Sequence, residues 1–234
     1  MNDPAALPEW SRHLTVFDLE TTGVNTREAR IVTACIARLD QDGHVTAAST
    51  WLADPGIDIP VQAQRVHGIS TDKARREGRP AADVVAEVRA VVEDSLRNNI
   101  AVVAYNAPYD FGVLMAECRR HGIPPIGDPA PVIDPLVLDR HLDTYRKGKR
   151  TLSAATEVYG VTLDHAHTAE ADAVAAGQVA LAIARRYADQ LTMTAMDLHL
   201  AQQDWARAQE ESFARYMERV GRPYHARYGW PLSR

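Results

Sequence analysis

Three strand-like runs in succession, followed by short apolar runs that alternate with helical segments, leave few architectures open to this chain. Residues 14–20 and 31–39 have strand composition, and the turn D-Q-D-G-H leads into a third run at 45–52, the order of a meander. The run I-A-V-V-A-Y at 100–105 is short and wholly apolar, as a strand buried on both faces must be. A fifth short strand is expected at 132–134, stopped by Pro135. Helices are expected at 61–66, 81–96, from Pro108 onward, at 152–159, and over the alanine-rich 170–189. This order predicts an α/β fold, a mixed sheet with helices on both sides. With 46% hydrophobic residues, the 234-residue chain can bury a sizeable core.

Residues 1–12 carry acids and prolines without an apolar run, so no secretory leader is expected. No uncharged stretch reaches the roughly 18 residues of a membrane span. The expectation is a cytoplasmic protein with no membrane partner. Cys35 and Cys118 lie far apart in apolar segments, which suits small core residues better than a disulfide or a zinc cluster. A net charge of −5 means that any nucleic-acid contact is local. The basic run R-K-G-K-R at 146–150 is the strongest such patch, either gripping phosphates or forming a solvated loop. The sequence divides into a tail at 1–12, a main domain at 13–190, and a helical extension at 191–234. In the extension Leu198, Trp205, Phe213, Tyr216 and Val220 recur at helical spacing, which predicts packing on the main domain, with Gly221 and Pro223 ending the helix.

The first strand ends in F-D-L-E-T-T-G, residues 17–23. Alternation places Asp18 and Glu20 on one face of the strand, where two carboxylates repel unless a cation neutralises them. Mg2+ needs only one or two protein carboxylates plus substrate phosphate. Asp110 follows the apolar run 100–105 after a short turn, and sits beside Asp18 if the two strands are parallel neighbours. On its own it would only complement a helix amino end. His167 and Asp172 are five residues apart, but so are His13 and Asp18, His67 and Asp72, and His199 and Asp204. What distinguishes His167 and Asp172 is their place at the start of an alanine-rich helix that can approach a sheet closely. Four acids and a histidine then converge, an arrangement suited to two metals about 3.5–4 Å apart and hydrolysis at phosphorus. A histidine of ordinary pKa, about 6.5, suits proton removal from water.

The motifs D-x-E-T-T-G, V-H-G-I, N-A-P-Y-D and H-x-x-x-x-D, in this order over residues 13–190, resemble the DEDDh 3′–5′ exonucleases (DnaQ-like), the family of the epsilon proofreading subunit of bacterial DNA polymerase III and its stand-alone relatives. The resemblance implies a ribonuclease-H-like, five-stranded mixed sheet flanked by helices, here with a C-terminal helical extension. It implies that Asp18 bridges two Mg2+ (or Mn2+) ions, Glu20 and Asp172 complete the first, Asp110 holds the second through water, and His167 is the general base. It further implies that Thr21, Thr22 and Gly23 contact the terminal sugar or phosphate, and that Val66, His67 and Tyr109 wall the terminal base. The implied substrates are single-stranded or frayed 3′ ends, DNA in preference to RNA, with replication or repair proteins as candidate partners. An RNA-directed exoribonuclease and a non-catalytic replication or repair module are the alternatives. Q-L-T-M-T-A-M after residue 189 lacks the aromatic or large apolar ending of a clamp-binding peptide, so clamp binding is not expected.

Overall fold

The computed structural model describes residues 7–163 and 167–232. Strands β1 (His13–Thr21), β2 (Ile31–Asp40) and β3 (Val45–Asp54) form the antiparallel meander. Strands β5 (Ala101–Val103) and β6 (Val132–Ile133) add in parallel beyond β1, giving the order β4-β3-β2-β1-β5-β6. The sheet has six strands rather than five. The extra one, β4 (Arg79–Pro80), is a two-residue edge parallel to β3. It is too short for a sequence pattern, and proline is tolerated there because the outer N–H side needs no partner.

Around the sheet lie α1 (Val61–His67), α2 (Thr71–Glu77), α3 (Ala81–Arg97), α4 (Pro108–Arg120), α5 (Pro135–Leu142), α6 (Leu152–Tyr159), α7 (Ala169–Arg186) and α8 (Ala195–Arg219). Two helices have no counterpart in the periodicity. The segment T-D-K-A-R-R-E of α2 buries only Ala74, so it has no apolar stripe to read; Ser70 caps it through the Lys73 N–H. The other is α5, where Asp134 accepts the Leu136 N–H as N-cap and Pro135, expected only to stop a strand, takes the first helical position.

Alternation along β1 divides the core. Phe17 and Leu19 pack with α3 and α4, whereas Leu14 and Val16 face α7. Asp18 and Glu20 therefore emerge on the α7 side. There Ala173, Ala176, Gly177 and Ala180 lay the helix against the strands with almost no side chain between them. A Cβ added at Gly177 would collide with Val16 Cγ1 and lie 2.5 Å from Leu39 Cδ1. Gly177→Ala is expected to cost about 1–3 kcal/mol through overpacking, read as a lower urea midpoint. An unchanged midpoint would mean that α7 can stand off the sheet without loss.

The extension is one helix followed by a returning tail. Leu198 is fully buried in the α7-side core, while Phe213, Tyr216 and Val220, expected to pack, are each more than two-fifths exposed. Only the first part of α8 lies on the domain. There its side chains satisfy the exposed edge of β6: Gln202 Nε2 donates to Val132 O (3.1 Å), Gln202 Oε1 accepts the Asp134 N–H (2.8 Å), and His199 Nδ1 accepts the Val132 N–H (3.1 Å). Side chains do here what a seventh strand would do. The tail then brings Trp230 into the opposite core, its Nε1 3.3 Å from Asp134 Oδ2.

Candidate active site

The site forms where β1 outruns β5. Pairing with β5 ends at Val16↔Val103, so the last five residues of β1 have no parallel neighbour. The turn that leaves β5 opens α4 in that space, and Asp110 Oδ1 accepts the Leu19 N–H at 3.1 Å. The condition set by the sequence, parallel neighbouring strands, is met. A bulge between Glu20 and Thr21 ends the regular pairing with β2 beside the carboxylates.

Asp18, Glu20 and Asp172 each present an oxygen within 4.8 Å of the others. Asp172 arrives in the first turn of α7, whose N-cap is Thr168 accepting the Ala171 N–H (3.2 Å). Asp110 stands behind this trio, 3% exposed, with one oxygen spent on Leu19. All four carboxyls are pushed above their ordinary range. Burial dominates for Asp18, reinforced by Asp110, Asp172 and Glu20. Burial also dominates for Asp110 and Asp172, partly offset by the Leu19 N–H and the His167 backbone, respectively. Glu20 is raised to about 7 by burial and by Asp172. No lysine or arginine forms an ion pair with any of the four among the described residues. Such a donor set fits divalent ions and is poorly suited to anything else.

His167 lies exposed at the mouth of this cluster with φ +71°, and its backbone N–H reaches Asp172 Oδ1 at 3.3 Å. The look-alike pairs have structural explanations. His199 caps β6, and His13 and Asp18 lie along the same strand. A second acidic group, Asp40, Asp42 and His44, is an exposed hairpin turn in which Asp40 Oδ1 accepts the Asp42 and His44 N–H groups.

Thr21, Thr22 and Gly23 form a loop tied internally. Thr22 Oγ1 accepts the Arg30 N–H (3.0 Å), and Thr21 Oγ1 donates to Gly23 O (2.9 Å). Tyr109 does more than offer a ring. Its hydroxyl donates to Gly23 O at 2.6 Å and meets Thr21 Oγ1. A phenylalanine could not make this tie, so the hydroxyl is a feature the motif alone did not reveal. A Cβ at Gly23 would meet nothing within 4 Å, so the loop faces open space. Val66 is about half exposed, while His67 is buried against the Thr21 backbone, its Nδ1 accepting the Ile69 N–H (3.1 Å). Burial lowers the His67 pKa, partly offset by the Thr21 backbone.

Asp134 went unnoticed in the sequence because it looked like a strand end. It is 1% exposed and accepts the Asn106, Ala107 and Leu136 N–H groups. It thereby fixes the turn, with Asn106 at φ +63°, that delivers Tyr109 and Asp110. The basic run is likewise not what its charge suggested. Arg146 and Arg150 are turned inward onto the fully buried Asp139, Arg146 Nη2 at 2.5 Å and Arg150 Nη1 at 2.9 Å. Two of its four cations are therefore withdrawn from any phosphate.

A family model described as exonuclease matches residues 15–180. The chain belongs to the exonuclease family, of the DnaQ-like type. It is 31% identical over 178 residues to the PolC-type DNA polymerase III of Streptococcus pyogenes, covering 76% of this chain and 11% of that protein. The chain thus spans about a tenth of the length of the curated relatives it matches. Among solved structures, the zinc-bound E. coli Exonuclease I–ssDNA complex aligns with TM-score 0.63 at 20% identity, covering 76% of this chain and 41% of that one. Exonuclease X in complex with 5′ overhanging duplex DNA aligns with TM-score 0.57 at 20% identity, covering 80% and 99%. These likenesses establish the same α/β fold, a mixed sheet flanked by helices. The matched span ends within α7, before α8 begins. Among the described residues no helix is long and apolar enough to cross a membrane.

Proposed function

We propose that this protein is a metal-dependent 3′–5′ exonuclease that shortens DNA from single-stranded or frayed 3′ ends, releasing nucleoside monophosphates in a proofreading or repair setting. The observation that carries this is the convergence of Asp18, Glu20 and Asp172, backed by Asp110, with no lysine or arginine paired to them among the described residues. Asp18, Glu20 and Asp172 would hold one Mg2+ or Mn2+, and Asp18 with Asp110 a second. Bound there, the two ions would supply charge stabilisation at the phosphodiester and its leaving oxygen. His167, exposed beside Asp172, would accept the proton of the attacking water. The Thr21–Thr22–Gly23 backbone receives the terminal sugar and phosphate, and Val66, His67 and Tyr109 wall the terminal base. The DNA bound by the two structural neighbours and the polymerase relative support DNA over RNA as substrate. Two free, buried cysteines support a reducing, cytoplasmic setting.

The test is a time course on a 5′-labelled, 3′-mismatched primer–template, its single strand and the matching RNA, with Mg2+ or Mn2+ against EDTA. A metal-dependent ladder shortened from the 3′ end is expected, faster on DNA; a 5′-directed or metal-independent pattern would overturn the assignment.

Metal uptake is expected to compete with protons. Glu20, raised to about 7 in the metal-free protein, is largely protonated at pH 6 and must ionise to bind. Mn2+ titrated calorimetrically in two buffers should release more protons per protein at pH 6 than at pH 8.5. The sign for stability follows. A raised acid pKa contributes stability at low pH that is lost as pH climbs through about 7, so EDTA-treated protein should lose Tm over that interval and regain it with Mn2+. Absence of proton release at pH 6 would place Glu20 outside the metal site.

A further inference from the structure

Asp134 joins the extension to the turn that carries Asp110. It follows β6, the parallel neighbour of β5, so its side chain meets the turn by which the chain leaves β5. That turn opens α4 without a capping side chain of its own: the N-cap position is Ala107, and Asn106 before it stands at φ +63°. Asp134 supplies what is missing. Its Oδ1 accepts the Asn106 N–H at 2.9 Å and its Oδ2 the Ala107 N–H at 3.0 Å. Asp110 lies in the first turn of α4, so the start of this helix sets where its carboxylate stands.

Two residues of the extension hold Asp134 from the other side. Gln202 Oε1 accepts its backbone N–H at 2.8 Å, and Trp230 Nε1 donates to Oδ2, the oxygen that also takes Ala107, at 3.3 Å. Gln202 and Trp230 are both buried, and both lie beyond the matched span 15–180. With the Leu136 N–H on Oδ1, each oxygen of Asp134 accepts two donors, which fills the capacity of a carboxylate. A buried polar network satisfied to this degree is rigid.

We propose that the extension is a positioning element of the candidate active site: Trp230 and Gln202 fix Asp134, and Asp134 fixes the turn that places Asp110 for the second ion. The proposal rests on the two-ion exonuclease reading. Asp134, Gln202 and Trp230 act through Asp110, so they are positioning residues and not catalytic ones.

The experiment counts Mn2+ bound to the full chain in the presence of thymidine monophosphate, with the free ion read from its EPR signal. Wild type should take up two ions. Trp230→Phe keeps an aromatic ring and removes the N–H; it should weaken the second ion roughly ten-fold, the low end for groups that orient a ligand, and leave the first unchanged. Asp134→Asn, of nearly equal volume, turns an amide N–H toward donors that need an acceptor, and should weaken the second ion toward roughly a hundred-fold. In both variants kcat on a thymidine dodecamer should fall at limiting Mn2+ and recover at high Mn2+. Val88→Ala, a cavity on α3, should lower Tm yet bind both ions as wild type does, which separates positioning from loss of stability. An unchanged second ion in Trp230→Phe or in Asp134→Asn, or an equal loss of both ions, would overturn the proposal while leaving the exonuclease standing. If wild type binds fewer than two Mn2+, the two-ion reading falls, and this proposal with it.

Discussion

Asp18→Asn is expected to lower cleavage by about 10³-fold or more, because several kcal/mol of charge stabilisation at phosphorus depend on the ions this carboxylate would bridge. The same change should raise the Tm of the EDTA-treated protein at pH 8. In the native chain Asp18 sits beside three other acids, and both desolvation and repulsion oppose its ionisation. Asparagine removes that charge at nearly constant volume, so the fold gains what the site loses. Paired activity and melting measurements separate this from a structural role, since a residue needed for folding would lose both together. Activity within ten-fold of wild type would sink the metal-bridging assignment.

Asp139→Ala is expected to cost about 3–5 kcal/mol, the range for removing one side of a buried charge group. Asp139 is fully buried and receives Arg146, Arg150 and the Tyr159 hydroxyl, while the Tyr105 hydroxyl donates to Arg150 O. Without the carboxylate, two guanidinium groups, each less than 15% exposed, stand beside one another with no counter-charge. The urea midpoint should fall accordingly. A loss below about 1 kcal/mol would mean that both arginines swing freely into water. That result would make the basic run a solvated loop after all and return it to consideration as a phosphate grip.

The site was legible because its chemistry is written in short local spacings. Alternation in β1 required Asp18 and Glu20 to share a face, and small residues at the start of α7 allowed Asp172 to reach it. The tie between Tyr109 and the loop, and the hold of Asp134 on the Asn106 turn, were not legible. Each joins segments distant in sequence, Asp134 being 28 residues from Asn106, and no period or propensity encodes such a contact.

By itself, then, the sequence determined the meander, the parallel strand beyond it, the helical layers and the acids aimed at one end of the sheet. Backbone geometry and apolar periodicity act over a few residues, which is the range a sequence pattern reports. Only the tertiary structure decided which charges remain available to a ligand. R-K-G-K-R reads as a cationic patch, yet half of it is consumed by one buried aspartate. Arg27, Arg140 and Arg227, scattered along the chain, come together in one groove, but with Asp128, Asp134 and Glu210 beside them. A charge's worth depends on what lies within a few ångströms of it, and folding alone fixes those neighbours.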